Sequence, residues 1–416
     1  ALPRHRPDAL GARAPGAASE RHDREAPLDG RPAELGGDAA LLPRPADAAR
    51  GAPSVRTPLL GLSLPELAQA IGPLSRERFR PAQVLGWMTA RRAASFDEMT
   101  DLPAALRAAL GERFVVGLPE VEARTEAEDG AEKLLLRLAD GAKVEAVSIP
   151  APRRRASGTT ERVTVCVSSQ SGCAVGCAFC VTGRLGPGRN LTAGEILGQY
   201  LAVARAKGFG PRAANLVFMG MGEPLLNVAN VSRALDLLEA EVSPRRTTVS
   251  TAGIVPGIRE LAKRERRPNL AVSLVAAEDA LRTRLMPVNA RWPLSELVEA
   301  LEEWPLEPGR RITLEVVLIA GVNDGPDAAR ALARLARRFP SKVNLIPLNE
   351  SSEWLPGLSR PTAAAVDAFG ALLAGSGVDV TVRWSKGLGA AAACGQLKGR
   401  EAPARGRPAP PPSVRS

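Results

Sequence analysis

Residues 163 to 188 read VTVCVSSQSGCAVGCAFCVTGRLGPG, and three of the chain's five cysteines, Cys173, Cys177 and Cys180, stand there as Cys-x3-Cys-x2-Cys. Val163 to Val167 is largely β-branched and apolar, which predicts a strand that delivers the cysteines onto the loop behind it. A fourth cysteine, Cys166, lies on that strand. Gly172 and Gly176 let the loop fold tightly, and clustered thiolates are what an iron–sulfur cluster requires. A four-iron cluster on three protein thiolates leaves one iron open to a small ligand, so the spacing points to a centre that does chemistry as well as carrying electrons. A structural zinc site is the alternative reading. It wants four ligands, and both histidines, His5 and His22, stand in the unpatterned N-terminal stretch, so Cys166 or Cys394 would have to complete it.

Composition sets the frame around this loop. A chain of 416 residues, 45% of them hydrophobic, buries a substantial core as one large domain plus a small one, or as two. The net charge of +10 favours a polyanionic partner, although a generic basic surface gives the same balance. Aromatic residues make up only 3%, which speaks against a binder that stacks single-stranded bases on aromatic rings. No apolar run approaches the roughly 20 residues of a membrane span, and the start of the sequence lacks the apolar core of a signal peptide. Cysteines gathered for a metal in such a chain indicate the reducing cytoplasm, away from any membrane.

Outward from the cysteines, the chain divides into five parts. Residues 1–57 are rich in Ala, Arg, Pro, Gly and Asp without period, and are expected to be a disordered tail. Residues 58–122 turn helical: Ser63-Leu64-Pro65-Glu66 gives a cap, a first-turn proline and an early acid, followed by FRPAQVLGWMTARRA and SFDEMTDLPAALRAAL. Its basic side is expected at Arg76 to Arg80 and Arg91–Arg92; a packing appendage and an RNA-handling module both fit. Residues 123–162 form a hairpin, KLLLRLADG turning at Asp140-Gly141 into AKVEAVSIP, and a basic linker, RRRASGTTER.

Residues 163–398 alternate. After a capping box at Thr192-x-x-Glu195 come strand-like runs near 216–222, 247–253, 270–276, 312–319, 342–348 and 378–384, with amphipathic stretches between them. Apolar strands alternating with helices imply a parallel sheet with helices outside. With the Val163 strand there are about seven, enough for a partial or full α/β barrel, whose active residues collect at the C-terminal strand ends. Residues 399–416 are expected to be a second, basic disordered tail.

The candidate residues do collect at those ends. Gly220-Met221-Gly222-Glu223-Pro224 closes one strand, where glycines allow close backbone approach and a carboxylate holds an ammonium; its bland reading is a tight turn. Ser250, Ser273-Leu274-Val275 and Asn349 offer hydroxyls and an amide apt for a carboxylate or a ribose, though each alone is more often a helix cap. Cys394, in AAAACGQL, reads on residue pattern as a buried small hydrophobe, with a nucleophilic thiol as the functional alternative.

Taken in order, FRPAQVLGWM, SFDEMTDLP, VEAVSIP, CVSSQSGCAVGCAFCVTG, RNLTAGEILGQ, FMGMGEPLLN, VSTAGIVPGI, MPVN, VNLIPLN and ACGQL resemble the RlmN/Cfr family of radical S-adenosylmethionine (SAM) RNA adenine methyltransferases. Pro224 places the likeness nearer the RlmN branch. The resemblance implies a partial (β/α)6-type barrel with a small N-terminal helical domain. It implies a [4Fe-4S] cluster on Cys173, Cys177 and Cys180, and SAM contacts from Gly222, Glu223, Ser250, Ser273, Leu274, Val275 and Asn349. Cys394 is implied as the methyl-carrying cysteine, Cys166 as its disulfide-forming partner and Glu145 as the proton acceptor. The implied reaction is ping-pong and uses two SAM. One methylates Cys394; the other yields a 5′-deoxyadenosyl radical that takes a hydrogen from that methyl, and the carbon radical adds to adenine C2. The partners implied are ribosomal RNA, with transfer RNA as a further candidate, and an electron donor such as flavodoxin, acting on a monomer. A Cfr-like C8 methyltransferase and a diverged RNA-binding member are the alternatives.

The sequence departs from the family in three places. Val275 stands where the family usually has His. Gly387-Leu388-Gly389-Ala390-Ala391 lacks the usual acidic residue, and Leu348 replaces a frequent tryptophan.

Overall fold

The computed structural model describes residues 56–150, 162–351, 353–387, 389 and 391–399, which fall within one compact unit. The expected disordered tails, up to residue 55 and from 400 onward, lie outside the described residues, as does the basic linker 151–161.

The N-terminal layer begins with β1 (Thr57–Pro58), which pairs in parallel with β2 (Phe114–Val115). Between them run α1 (Leu64–Ile71), α2 (Arg80–Thr89) and α3 (Ala104–Arg113). The start of α1 is set as its sequence predicts: the Glu66 carboxylate accepts from the Ser63 N–H at 2.7 Å and from its hydroxyl at 2.6 Å, occupying a donor that the first turn leaves unpaired. The expected basic face is only partly one. Arg76, Arg78 and Arg91 are exposed, but Arg92 is buried, donating to the Phe209 carbonyl at 2.6 Å and facing Glu241 at 3.6 Å. It locks the layer to the core and does not belong to the outer surface.

The main sheet has ten strands. On one side β3 (Glu120–Glu126), β4 (Glu132–Arg137) and β5 (Lys143–Pro150) run antiparallel, and β5 joins β6 (Val163–Cys166) antiparallel. From β6 onward every pairing is parallel, through β7 (Ala214–Phe218), β8 (Thr247–Thr251), β9 (Asn269–Ser273), β10 (Ile312–Leu318), β11 (Ser341–Pro347) and the three-residue β12 (Val380–Val382). Spatial order follows chain order, and β12 and β3 are the two edges. The barrel is therefore open, with six full parallel strands and a short seventh. The helices that return the chain are α4 (Val181–Arg184), α5 (Ala193–Lys207), α6 (Val228–Leu238), α7 (Val255–Ala262), α8 (Asp279–Leu285), α9 (Leu294–Glu302), α10 (Pro326–Ala336) and α11 (Ala363–Gly375).

Helix α5 is the hinge between the layers. Thr192 and Glu195 form its expected capping box, at 3.2 and 2.8 Å, and most of its length is buried because it is covered on both sides. Gly194 and Gly198, one turn apart, make that possible. A methyl on Gly194 would stand 2.0 Å from the Leu60 carbonyl oxygen, and one on Gly198 would stand 2.6 Å from the Pro119 ring. A glycine inside a helix ordinarily costs about 0.5–1 kcal/mol against alanine. Gly111→Ala in α3, where the added methyl meets nothing within 4 Å, should therefore raise stability by up to about that amount. Gly194→Ala should do the opposite, costing about 1–3 kcal/mol by overpacking. Urea unfolding of the two variants checks the pair; stabilisation by both would show that the N-terminal layer does not press on α5.

Candidate active site

One cavity opens at the C-terminal ends of the parallel strands, with about 1060 Å³ of space unfilled by atoms, part of it open solvent. Cys173, Cys177 and Cys180 form one wall; Gly222 and Glu223 after β7, Ser250 on β8, Ser273 on β9 and Asn349 after β11 form the others, and Cys394 closes the rim. Five neighbouring strands can line one lumen only if the sheet curls, so the cavity itself records the barrel curvature. Glu145 and Cys166 stand behind this wall, both buried. Leu274 and Val275, which the resemblance implies as SAM contacts, are also buried and lie outside the wall. Val275 holds a left-handed backbone at φ +62°, a strained conformation for a β-branched residue.

The wall after β7 is built by close backbone approach. Gly222 has φ +96°, and a side chain there would strike the Gln170 backbone at 2.7 Å. The Gln170 side chain in turn accepts from the Glu223 N–H at 2.8 Å. The Glu223 carboxylate accepts from the amides of Ala252 at 2.7 Å and Leu225 at 2.9 Å. Burial pushes its pKa up to about 7, against these donors, which pull it back.

The C-terminal loop that carries Cys394 is tied down on three sides. Val181 N–H donates to the Gly395 carbonyl at 2.8 Å, and the Thr182 hydroxyl to that of Leu397 at 2.6 Å. Asn349 Nδ2 donates to the Cys394 carbonyl at 2.9 Å. Glu145 accepts from the Lys398 amide at 2.9 Å and pairs with Lys133 at 3.1 Å, while Lys133 also donates to the Ala391 carbonyl at 3.1 Å. These contacts bring Cys394 within electrostatic reach of Cys166 and Cys180.

Three charged residues of this region escape the sequence reading. Glu315 on β10 and Arg383 after β12 face the lumen, Asn344 Nδ2 donating to Glu315 at 3.0 Å. Arg282 on α8 is fully buried. An acidic residue in the middle of ITLEVVL is a signal for Glu315; nothing comparable marks Arg282.

The donor set fits a cluster. Burial is the main cause that raises all three loop thiols, Cys173 to about 12, and for Cys177 the other two sulfurs add to it. Such thiols are neutral unless a metal centre takes their protons. Among the described residues no three His, Cys, Asp or Glu side chains converge as ligands of a single ion.

A parallel open barrel, with three cysteines behind its first strand facing a carboxylate and hydroxyls at the next strand ends, defines a radical SAM enzyme. Residues 167–333 match the Radical SAM superfamily, and residues 57–116 match the ribosomal RNA large subunit methyltransferase N-terminal domain. The chain is 46% identical to the dual-specificity RNA methyltransferase RlmN of Anaeromyxobacter dehalogenans, over 82% of this chain and 92% of that protein. It is 47% identical to the RlmN of Nitratidesulfovibrio vulgaris strain DP4, over 83% and 96% respectively. A crystal structure of a radical SAM methyltransferase from Sphaerobacter thermophilus superposes with a TM-score of 0.76 at 41% identity, covering 83% of this chain and all of that one. The chain belongs to the RlmN family of radical SAM methyltransferases, which use a [4Fe-4S] cluster and two SAM per turnover.

Glu223 gives a stability prediction with a definite sign. Its pKa is about 7 in the folded protein against 4.5 as the ordinary value, so the folded state keeps a proton that the unfolded state has lost. The stabilisation is full below about pH 4.5 and is lost as pH rises through about 7, amounting to roughly 3 kcal/mol. In iron-free protein, Glu223→Gln should remove that part of the pH dependence in urea unfolding between pH 4.5 and 8. An unchanged slope would show that Glu223 ionises normally.

Proposed function

We propose that this protein methylates C2 of an adenosine in large-subunit ribosomal RNA, with transfer RNA as a second substrate, through a methyl group carried on Cys394. The observation that supports this most is the convergence of Cys394 and Cys166, far apart in sequence, beside the loop of Cys173, Cys177 and Cys180. A purely electron-carrying centre has no use for one further thiol at its rim and another buried behind it.

When bound, the cluster and SAM supply a carbon radical able to add to an aromatic carbon that is not nucleophilic. Cys173, Cys177 and Cys180 hold the cluster. Glu223 would hold the ammonium of SAM, Gly222 lets Gln170 pack close behind that wall, and Ser250, Ser273 and Asn349 would hold its carboxylate and ribose. Leu274 and Val275 contribute through the shape of the backbone beneath. Cys394 accepts the methyl and presents it to the adenine. Glu145, paired with Lys133 and buried beside the loop, takes the proton lost from the ring. The odd electron of the radical adduct leaves to a one-electron carrier. Cys166 then attacks the Cys394 sulfur: a disulfide forms as the sulfur–carbon bond breaks, and the freed carbon keeps the electron pair and takes a proton. An external thiol must reduce the disulfide. Neutral, desolvated thiols are poor nucleophiles, and burial pushes Cys166 up to about 12, so each must lose its proton only when its turn comes.

The N-terminal layer is the proposed RNA-handling domain, with 123–162 linking it to the barrel at 163–398. Exposed Arg76, Arg78 and Arg91 flank Phe79, which is 58% exposed, and Arg91 stacks on Trp87 at 4.1 Å. No helix among the described residues is long and apolar enough to cross a membrane. All five cysteines are free, which suits a reducing compartment. One chain supplies every group assigned to the site, which supports a monomer as the working unit, fed by an external one-electron donor.

Protein purified without oxygen should be brown, with about four irons per chain, and Cys177→Ala should be colourless. Binding to structured RNA should weaken steeply with salt as phosphate counterions are released, and charge reversal at Arg76 and Arg78 should flatten that dependence. Cys166→Ala should still gain one methyl on Cys394, yet remain covalently attached to RNA through a methylene bridge at Cys394, because the releasing thiol is gone. A Cys166→Ala protein that turns over normally, with no RNA-linked species on a denaturing gel, would overturn the assigned roles.

A further inference from the structure

Arg282 is fully buried and has no part in the chemistry assigned above. Its guanidinium is nonetheless surrounded by purposeful partners. Nη2 donates to the Ala252 carbonyl at 2.7 Å and, more weakly, to that of Ser273 at 3.4 Å. Nε donates to the Leu274 carbonyl at 3.1 Å, and Nη1 to Asn289 Oδ1 at 2.7 Å. Among the described residues it pairs with no carboxylate. The acidic groups it senses are Cys177 and Asp279, and Asp279 is already occupied by Asn289 Nδ2 at 2.8 Å and the Leu294 amide at 2.9 Å. Burial pulls the guanidinium down to about 10, so it remains a cation at neutral pH.

A buried cation without a counter-ion is costly, and the groups around it show where the counter-charge arises. Burial above all raises Cys177, with Cys180, Cys173 and Glu223 adding to it, and Arg282, on the helix bonded to this loop, opposes them. Another cation, Arg184, acts on Cys180 from the half-buried end of the loop. Helix α8 is itself fixed to the loop, because the Ala178 amide donates to the Leu285 carbonyl at 2.9 Å. Through Ala252, whose amide holds Glu223, and through the Ser273 and Leu274 carbonyls, the same guanidinium fixes the strand ends of β8 and β9 that face SAM.

We propose that Arg282 is a positioning residue with two effects: its buried charge offsets the thiolates that hold the cluster and raises the cluster's reduction potential, and its hydrogen bonds fix the SAM-facing ends of β8 and β9. The first effect rests on Cys173, Cys177 and Cys180 holding the cluster. Net charge and hydrogen bonding near the sulfurs are among the quantities that set such potentials.

The test compares the full chain, reconstituted without oxygen, with Arg282→Gln and Arg282→Lys. Iron content, the midpoint potential from an EPR-monitored titration, and the dissociation constant for SAM are measured on each. Arg282→Gln should keep its iron, become harder to reduce, and bind SAM about tenfold more weakly or worse, as expected for loss of charge-assisted hydrogen bonds. Arg282→Lys should hold a potential near that of the unaltered protein while losing SAM affinity, since it keeps the charge but not the planar fork. An Arg282→Gln protein with full iron and an unchanged potential would overturn the inference. If the Gln protein takes up no iron, a Lys protein that does so at the normal potential supports it, and a Lys protein that also fails overturns it. Unaltered protein without four irons would defeat the cluster assignment and this inference together.

Discussion

Val181 and Thr182 follow Cys180 directly, and their hydrogen bonds to the carbonyls of Gly395 and Leu397 hold the end of the barrel against its beginning. The sheet does not close: β12 pairs only with β11, and the gap is spanned by the loop after it. Several of that loop's described backbone groups find their partners outside it, in the cysteine loop, Asn349, Lys133 and Glu145. Buried backbone groups need such partners. The consequence is chemical, because the residue between these anchors is Cys394.

The interior of the site combines groups that resist ionisation with the charges needed to ionise them. Five thiols and two carboxylates, Glu223 and Glu315, are all raised by burial. Arg282 and Arg383 are the cations set among them, Arg282 against Cys177 and Arg383 against Cys394, Glu315 and Cys166. An apolar wall alone would keep the thiols protonated and inert. A strongly basic one would ionise Cys394 and Cys166 together, so that an outside oxidant could couple them as a disulfide before any methyl is loaded.

The cysteine loop, the alternation of strands and helices, and both capping boxes are legible in the sequence because each is a local pattern of spacing. Glu223 and the serines are legible as strand-end residues once a parallel sheet is recognised. Cys394 is not: on pattern alone it reads as a small buried hydrophobe, and only the likeness to a family marked it. Arg92 reads as a surface charge in RR, and nothing in DALRTRL marks Arg282, since a helix sequence does not say which tertiary neighbour its polar face will meet. The β3 strand, polar and alternating at an exposed edge, lacks the apolar run that marked the others. Leu274 and Val275 lie below the cavity because the chain turns there through a left-handed residue, a feature that a β-branched valine conceals. Histidine, frequent at that position in the family, adopts such a conformation more readily.

The central claim is that the methyl group rests on Cys394 before it reaches the RNA. Supplying SAM with three deuteriums on its methyl carbon and weighing the methyladenosine released from digested RNA tests this directly. Transfer through a cysteine-bound carbon, from which one hydrogen isotope is taken and later replaced from water, predicts a product that carries two deuteriums. A product that keeps all three would mean direct passage from SAM to the base and would contradict the account.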